Sequence, residues 1–133
     1  MATLVQQDKK KQFNTIEMAK AGFNAFINIT NKWGLKRQEQ IILLGGVSES
    51  TFYKWLKEGS PNLDRNHLER ISCILGIHKN LRILLKGESV YNWVRRPIGN
   101  DLFMGKSALE IMLNGGFIDI YKVRRYLDGY RGW

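Results

Sequence analysis

Apolar residues in this chain recur every three or four positions, and glycine closes most of the runs. That spacing builds helices with one buried stripe, because residues three and four apart share a helix face. Glycine ends such runs because it adopts the left-handed stop without steric cost. From Thr15, a suitable N-cap, the pattern is Ile16, Ala19, Phe23, Phe26 and Ile27, closing at Trp33-Gly34. A second helix fits Leu35 to Leu44 and stops at Gly45-Gly46. A third runs from Ser48 to about Glu58 and ends at Gly59-Ser-Pro61. A fourth covers Asp64 to Leu75 on a stripe of Leu68, Ile71 and Leu75, with Gly76 as its stop. A short fifth holds Leu81, Leu84 and Leu85. Residues 87–106 are the least regular and read as a turn of helix and an ordered loop. Ser107-Ala-Leu-Glu110 is a capping box that opens another short helix, ending at Gly115-Gly116. The last helix begins near Ile118–Asp119, with Ile120, Val123, Leu127 and Tyr130 on one face. No stretch alternates with period two. The sequence predicts an all-α protein of about seven helices.

Composition narrows the function classes. The chain has 133 residues, 44% hydrophobic and 25% charged, which is a globular balance. Its net charge is +9. Residues 1–62 carry nine Lys/Arg against five Asp/Glu, and residues 63–133 twelve against seven, so the excess is spread over both halves. A chain so basic is drawn to polyanions, nucleic acid first. The sole cysteine, Cys73, permits no internal disulfide and fits a reducing cytoplasm. No apolar run approaches the ~18 residues that span a bilayer, and Met1-Ala-Thr-Leu-Val is too short for a signal peptide core. An enzyme is not expected. The chain has no phosphate-binding glycine loop. His67 and His78 lie eleven apart with no cysteine pair, so no metal site is expected. Cys73, between Ser72 and Ile74 in an apolar helix, reads as core. Asp119 and Asp128 are not spaced as a paired-carboxylate site. No cofactor is implied for the chain itself.

The sharpest local pattern runs from Arg37 to Leu56, RQEQIILLGGVSESTFYKWL. The turn needs a positive φ, which Gly45-Gly46 supplies. Val47 fills the gap between two helices, and Ser48 caps the second. Phe52, Trp55 and Leu56 bury one face. Ser50, Tyr53, Lys54 and Lys57 are left on the other, with Thr51 at its flank. Such a face enters a DNA major groove, where hydroxyl and ammonium groups reach base edges and phosphates. The pattern resembles the helix-turn-helix of phage-repressor-like regulators. The expected DNA-binding residues are Arg37, Gln38, Ser48, Ser50, Thr51, Tyr53, Lys54 and Lys57. Glu49 is the awkward member, since it repels phosphate unless it accepts from a cytosine amino group or stays at the rim.

The last forty-odd residues are rich in Trp, Tyr and Arg, the types that anchor interfaces. They contain Trp93-Val-Arg-Arg-Pro97, Asn100-Asp-Leu-Phe103, Gly105-Lys-Ser-Ala-Leu-Glu110, Tyr126-Leu-Asp128 and Arg131-Gly132-Trp133. The motifs Trp93 to Pro97, Phe103-Met-Gly105, Ser107-Ala-Leu109 with Met112 and Gly115, Val123-Arg124 and Tyr126-Leu127-Asp128 resemble the toxin-binding domain of the Xre/MbcA/ParS antitoxin family. Leu68-Glu-Arg-Ile71 and Leu75-Gly76-Ile77 resemble the preceding helix of that family, so the likeness spans residues 35–133. Ile98 stands where the family commonly has Asn after the proline, and Met104 where a second glycine is common.

The resemblance implies a two-part antitoxin. Residues 1–14 are expected as a mobile basic arm around Lys9-Lys10-Lys11, residues 15–86 as the DNA-binding domain, and residues 87–133 as the toxin-binding domain. The partners implied are operator double-stranded DNA and a RES-domain toxin that consumes NAD⁺; a homodimer is expected because helix-turn-helix proteins commonly read two half-sites about one turn apart. The toxin-binding residues expected are Trp93, Arg95, Arg96, Asn100, Phe103, Arg124, Arg125, Tyr126, Arg131, Gly132 and Trp133. The rival reading is a helix-turn-helix regulator without an enzyme partner, its C-terminal helices serving only dimerisation.

Overall fold

A computed structural model describes the backbone of residues 4–132 and the side chains of residues 15–132. Trp133 and residues 1–3 lie outside the described residues. Seven α-helices follow in order: α1 (Leu4–Lys32), α2 (Arg37–Leu44), α3 (Glu49–Glu58), α4 (Arg65–Leu84), α5 (Ser89–Asn92), α6 (Ala108–Asn114) and α7 (Phe117–Tyr130). A 3₁₀ turn, Trp93–Arg95, continues α5. The described residues contain no strand, only one isolated bridge between Pro97 and Ser107. The all-α expectation holds.

Two helix boundaries differ from the sequence reading. The first concerns the expected arm, which is helical from Leu4, so Thr15 lies inside α1 and not at its start. Gln6, Gln7 and Lys9 to Lys11 are good helix formers, and no Gly or Pro interrupts them. The second concerns Gly76, which does not end a helix; α4 runs straight through it for twenty residues. The glycine serves close packing instead. A Cβ there would lie 2.6 Å from the Arg124 Nε of α7. Gly45 (φ 103°) and Gly59 (φ 70°) do supply the left-handed stops of α2 and α3.

Helix α4 is the central strut. It packs against α1 and α2 on one side and α7 on the other. One contiguous core results, from Phe23, Phe26, Trp33, Leu44 and Phe52 through Ile74, Ile77 and Leu81 to Val94, Phe103, Met112 and Ile120. No break in that core falls at residue 86. Tyr130, expected on the apolar face of α7, is 64% exposed. Cys73 is buried, and burial raises its thiol pKa, as suits an inert core residue.

A buried polar cluster fixes α2 to α1. Gln40 is fully buried, and its Nε2 donates to Thr30 Oγ1 (2.8 Å) and Asn31 Oδ1 (2.9 Å). Its Oε1 accepts from Arg37 Nη1 at 2.8 Å, and Thr30 Oγ1 donates on to the Phe26 carbonyl at 2.7 Å. Removing a member strands buried partners, each costing about 1–3 kcal/mol. Gln40→Ala is therefore expected to lower stability by about 2 kcal/mol, read as an earlier denaturant midpoint. An unchanged midpoint would show that water replaces the side chain at no cost.

Candidate functional site

The geometry around the α2–α3 turn is built by caps. Ser48 accepts the Thr51 N–H at 3.2 Å and donates to Thr51 Oγ1 at 2.8 Å, so both hydroxyls serve the start of α3. Phe52 and Trp55 point inward and meet Phe23 edge-on, each with ring centroids 6.0 Å apart. Asp64 caps α4 by accepting the His67 N–H at 2.9 Å, and the Asp64 N–H donates to His67 Nδ1 at 3.1 Å. The other ring nitrogen, Nε2, lies 3.4 Å from the Gly46 carbonyl. The turn is thus pinned to the next helix through a buried histidine.

Outward on α3 are Ser50, Tyr53, Lys54 and Lys57, all exposed, together with the acids Glu49 and Glu58. Gln38 on α2 is exposed as well. Glu49 lies in the first turn of α3, where a carboxylate favours the positive end of the helix dipole. Among the expected DNA contacts, Arg37 is committed to Gln40 and Asn31, and Ser48 and Thr51 to capping. These three hold α2 and the start of α3 in place, while Gln38, Ser50, Tyr53, Lys54 and Lys57 stay exposed. Asn66 and Arg70 at the start of α4 crowd Gly45, where a Cβ would lie 2.6 Å and 2.8 Å from them. The sequence reading passed over both, because the close approach of α4 to the turn leaves no local signal.

In the C-terminal segment, the aromatics form one stack. The Tyr126 ring stacks on Trp93 (6.4 Å, 22°), stands edge-on to Phe103 (4.9 Å) and meets Tyr130 (5.0 Å). Its hydroxyl donates to that of Tyr130 at 3.2 Å and accepts from Asn100 Nδ2 at 3.4 Å. The bond to Tyr130 is the main reason its pKa is raised. Asn100 also folds its loop, its Oδ1 accepting from the Leu102 and Phe103 N–H groups. Beside the stack opens a cavity of about 340 Å³ lined by leucines of α4 and by Trp93, Tyr126 and Tyr130.

Several residues expected to meet a partner are committed within the chain. Phe103 is buried and supports Tyr126 from beneath. Arg95 donates to the Trp33 (2.8 Å) and Gly34 (3.1 Å) carbonyls and so closes the end of α1. Arg124 lies over Gly76 and reaches the Ser72 carbonyl at 3.5 Å. Arg131 donates to the buried Asn80 (3.1 Å), which itself donates to Asp128 (2.8 Å). Arg96, Arg125 and Gly132 are exposed, Gly132 with a φ of 74°.

Residues 12–76 match the antitoxin Xre-like helix-turn-helix domain. The uncharacterized protein y4oB of Sinorhizobium fredii (strain NBRC 101917 / NGR234) is 49% identical over 113 residues, covering 84% of this chain and 85% of that protein. The chain belongs to the Xre-type antitoxin family. No solved structure matches it significantly. An Xre-type antitoxin binds DNA through its helix-turn-helix and has a toxin partner, and the family is typically non-enzymatic. The matched span contains α2, the Gly45-Gly46 turn, α3 and the start of α4, the same elements that hold Lys54 and Lys57 outward. Residues 77–133 of the antitoxin, with the aromatic stack, lie beyond that span. Among the described residues no helix is long and apolar enough to cross a membrane.

Proposed function

We propose that this antitoxin neutralises a RES-domain, NAD⁺-consuming toxin by direct binding and occlusion of its active site, and represses its own operon. It acts in the cytoplasm as a homodimer and has no catalytic role. The observation that carries the toxin reading is the stack of Trp93, Tyr126 and Tyr130 beside an apolar cavity. Aromatic rings held by neighbours lose little entropy on binding, which is what an interface anchor needs. Arg96 is exposed, and its guanidinium offers a planar fork of donors to carboxylate or carbonyl groups on the toxin. Trp133 follows Gly132, whose positive φ turns the backbone, and supplies the indole that enters the toxin pocket. The DNA reading rests on Ser50, Tyr53, Lys54 and Lys57 entering the major groove, with Gln38 at its edge.

Co-expression with the RES toxin of its own operon is the test. Growth and cellular NAD⁺ are expected to recover, and the purified chain is expected to retard its own promoter fragment. Retardation without rescue would leave a transcriptional regulator with no enzyme partner.

A further inference from the structure

We infer that Met104, carried on the loop between the Trp93–Arg95 turn and α6, inserts into an apolar recess of the toxin. The inference rests on the toxin reading above and adds a residue to that interface. Met104 is the one non-glycine residue with a positive φ among the described residues, at 52°. A side chain in this left-handed region crowds the neighbouring carbonyl, whereas glycine adopts it freely. Gly105, directly beside it, does so at 83°. Met104 is also 80% exposed, more than any other large hydrophobic residue described. Its side chain therefore adds strain to the fold and apolar surface to water, and the fold gains almost no packing from it. A strained residue whose side chain serves nothing within the chain points to a contact outside it.

The loop holds Met104 in that position. Asn100 Oδ1 accepts from the Leu102 and Phe103 N–H groups at 3.1 and 2.9 Å, and the Asn100 carbonyl accepts from the Met104 N–H at 2.7 Å. At the base, the Gly105 N–H donates to the Ile98 carbonyl at 2.8 Å and the Ile98 N–H to the Lys106 carbonyl at 3.1 Å. Phe103 turns inward and stands edge-on to both Trp93 (6.3 Å) and Tyr126 (4.9 Å). Leu102 and Met104, on either side of it, are exposed. The loop thus rides on the same aromatic stack that carries the toxin reading, and a backbone fixed in advance loses little entropy on binding. Chemistry selects the occupant. A thioether has no charge and no N–H or O–H donor, so it offers nothing to phosphate, and operator DNA is not its partner. It is flexible and polarisable and packs well on aromatic and aliphatic walls. Its partner is an apolar recess on a protein, and continuity with Trp93, Tyr126 and Tyr130 makes that protein the toxin.

NAD⁺ consumption by the RES toxin, titrated with full-length variants, tests this. Met104→Gly relaxes the backbone and removes the side chain. Met104→Asn keeps a residue type at ease in the left-handed region but replaces the thioether by an amide. Both are expected to melt no lower than the parent, to bind the operator as it does, and to inhibit the toxin about tenfold more weakly. Met104→Leu, apolar and of similar size, is expected to inhibit nearly as well as the parent. Inhibition by the glycine and asparagine variants equal to the parent's would overturn the assignment. A lower melting temperature in both would overturn it too, by making Met104 a support of the fold. Equal inhibition with a dimer lost in sedimentation would give the residue to a second copy instead. A parent that does not inhibit the toxin at all would overturn the toxin reading itself, and this inference with it.

Discussion

Lys54→Glu is expected to weaken operator binding by about a hundredfold, or about 3 kcal/mol, in a gel-shift titration at matched salt. Lys54 is exposed on the outward face of α3, and the opposite face is locked by Phe52 and Trp55 in the core. The change removes an attraction to phosphate and adds a repulsion at the same point. The fold should be untouched, because Lys54 buries little. Parent affinity should also fall steeply as salt rises, through counterion release. A variant that shifts the promoter fragment as well as the parent would mean that α3 does not face the groove.

Removing Trp133 alone is expected to weaken toxin inhibition by about thirtyfold to a hundredfold, the 2–3 kcal/mol of an aromatic hot spot. The cut must spare Arg131, because its guanidinium bonds the buried Asn80 and helps hold the end of α7 to α4. A chain ending at Gly132 keeps that bond. Its melting temperature and operator affinity should match the parent. Unchanged inhibition at near-stoichiometric concentrations would sink the role given to the indole. A large fall in melting temperature would instead place Trp133 in the antitoxin's own core.

The helix-turn-helix was legible in the sequence because its signals are local. Gly45 and Gly59 stop helices, Ser48 caps one, and the Phe52–Trp55 spacing fixes which face is buried. Fates decided by tertiary approach were not legible. Gly76 looked like a helix stop, yet it exists so that Arg124 of α7 can lie on α4. Arg95, Arg124 and Arg131 looked free for a partner. Each instead satisfies a carbonyl or amide more than forty residues away in sequence. Phe103 read as an interface residue from its motif, but the core claims it. Tyr130 moved the other way, from the expected apolar stripe to the surface beside Tyr126. Sequence spacing tells which residues share a helix face, but not which neighbour covers that face.

The most direct measurement is NAD⁺ consumption by the purified RES toxin, titrated with the parent chain and with Lys54→Glu. The two-faced antitoxin predicts complete inhibition by both at the same stoichiometry, since Lys54 lies on α3 and the aromatic stack on α7 and the Trp93 turn. NAD⁺ loss that continues unchanged in excess of either chain would contradict it.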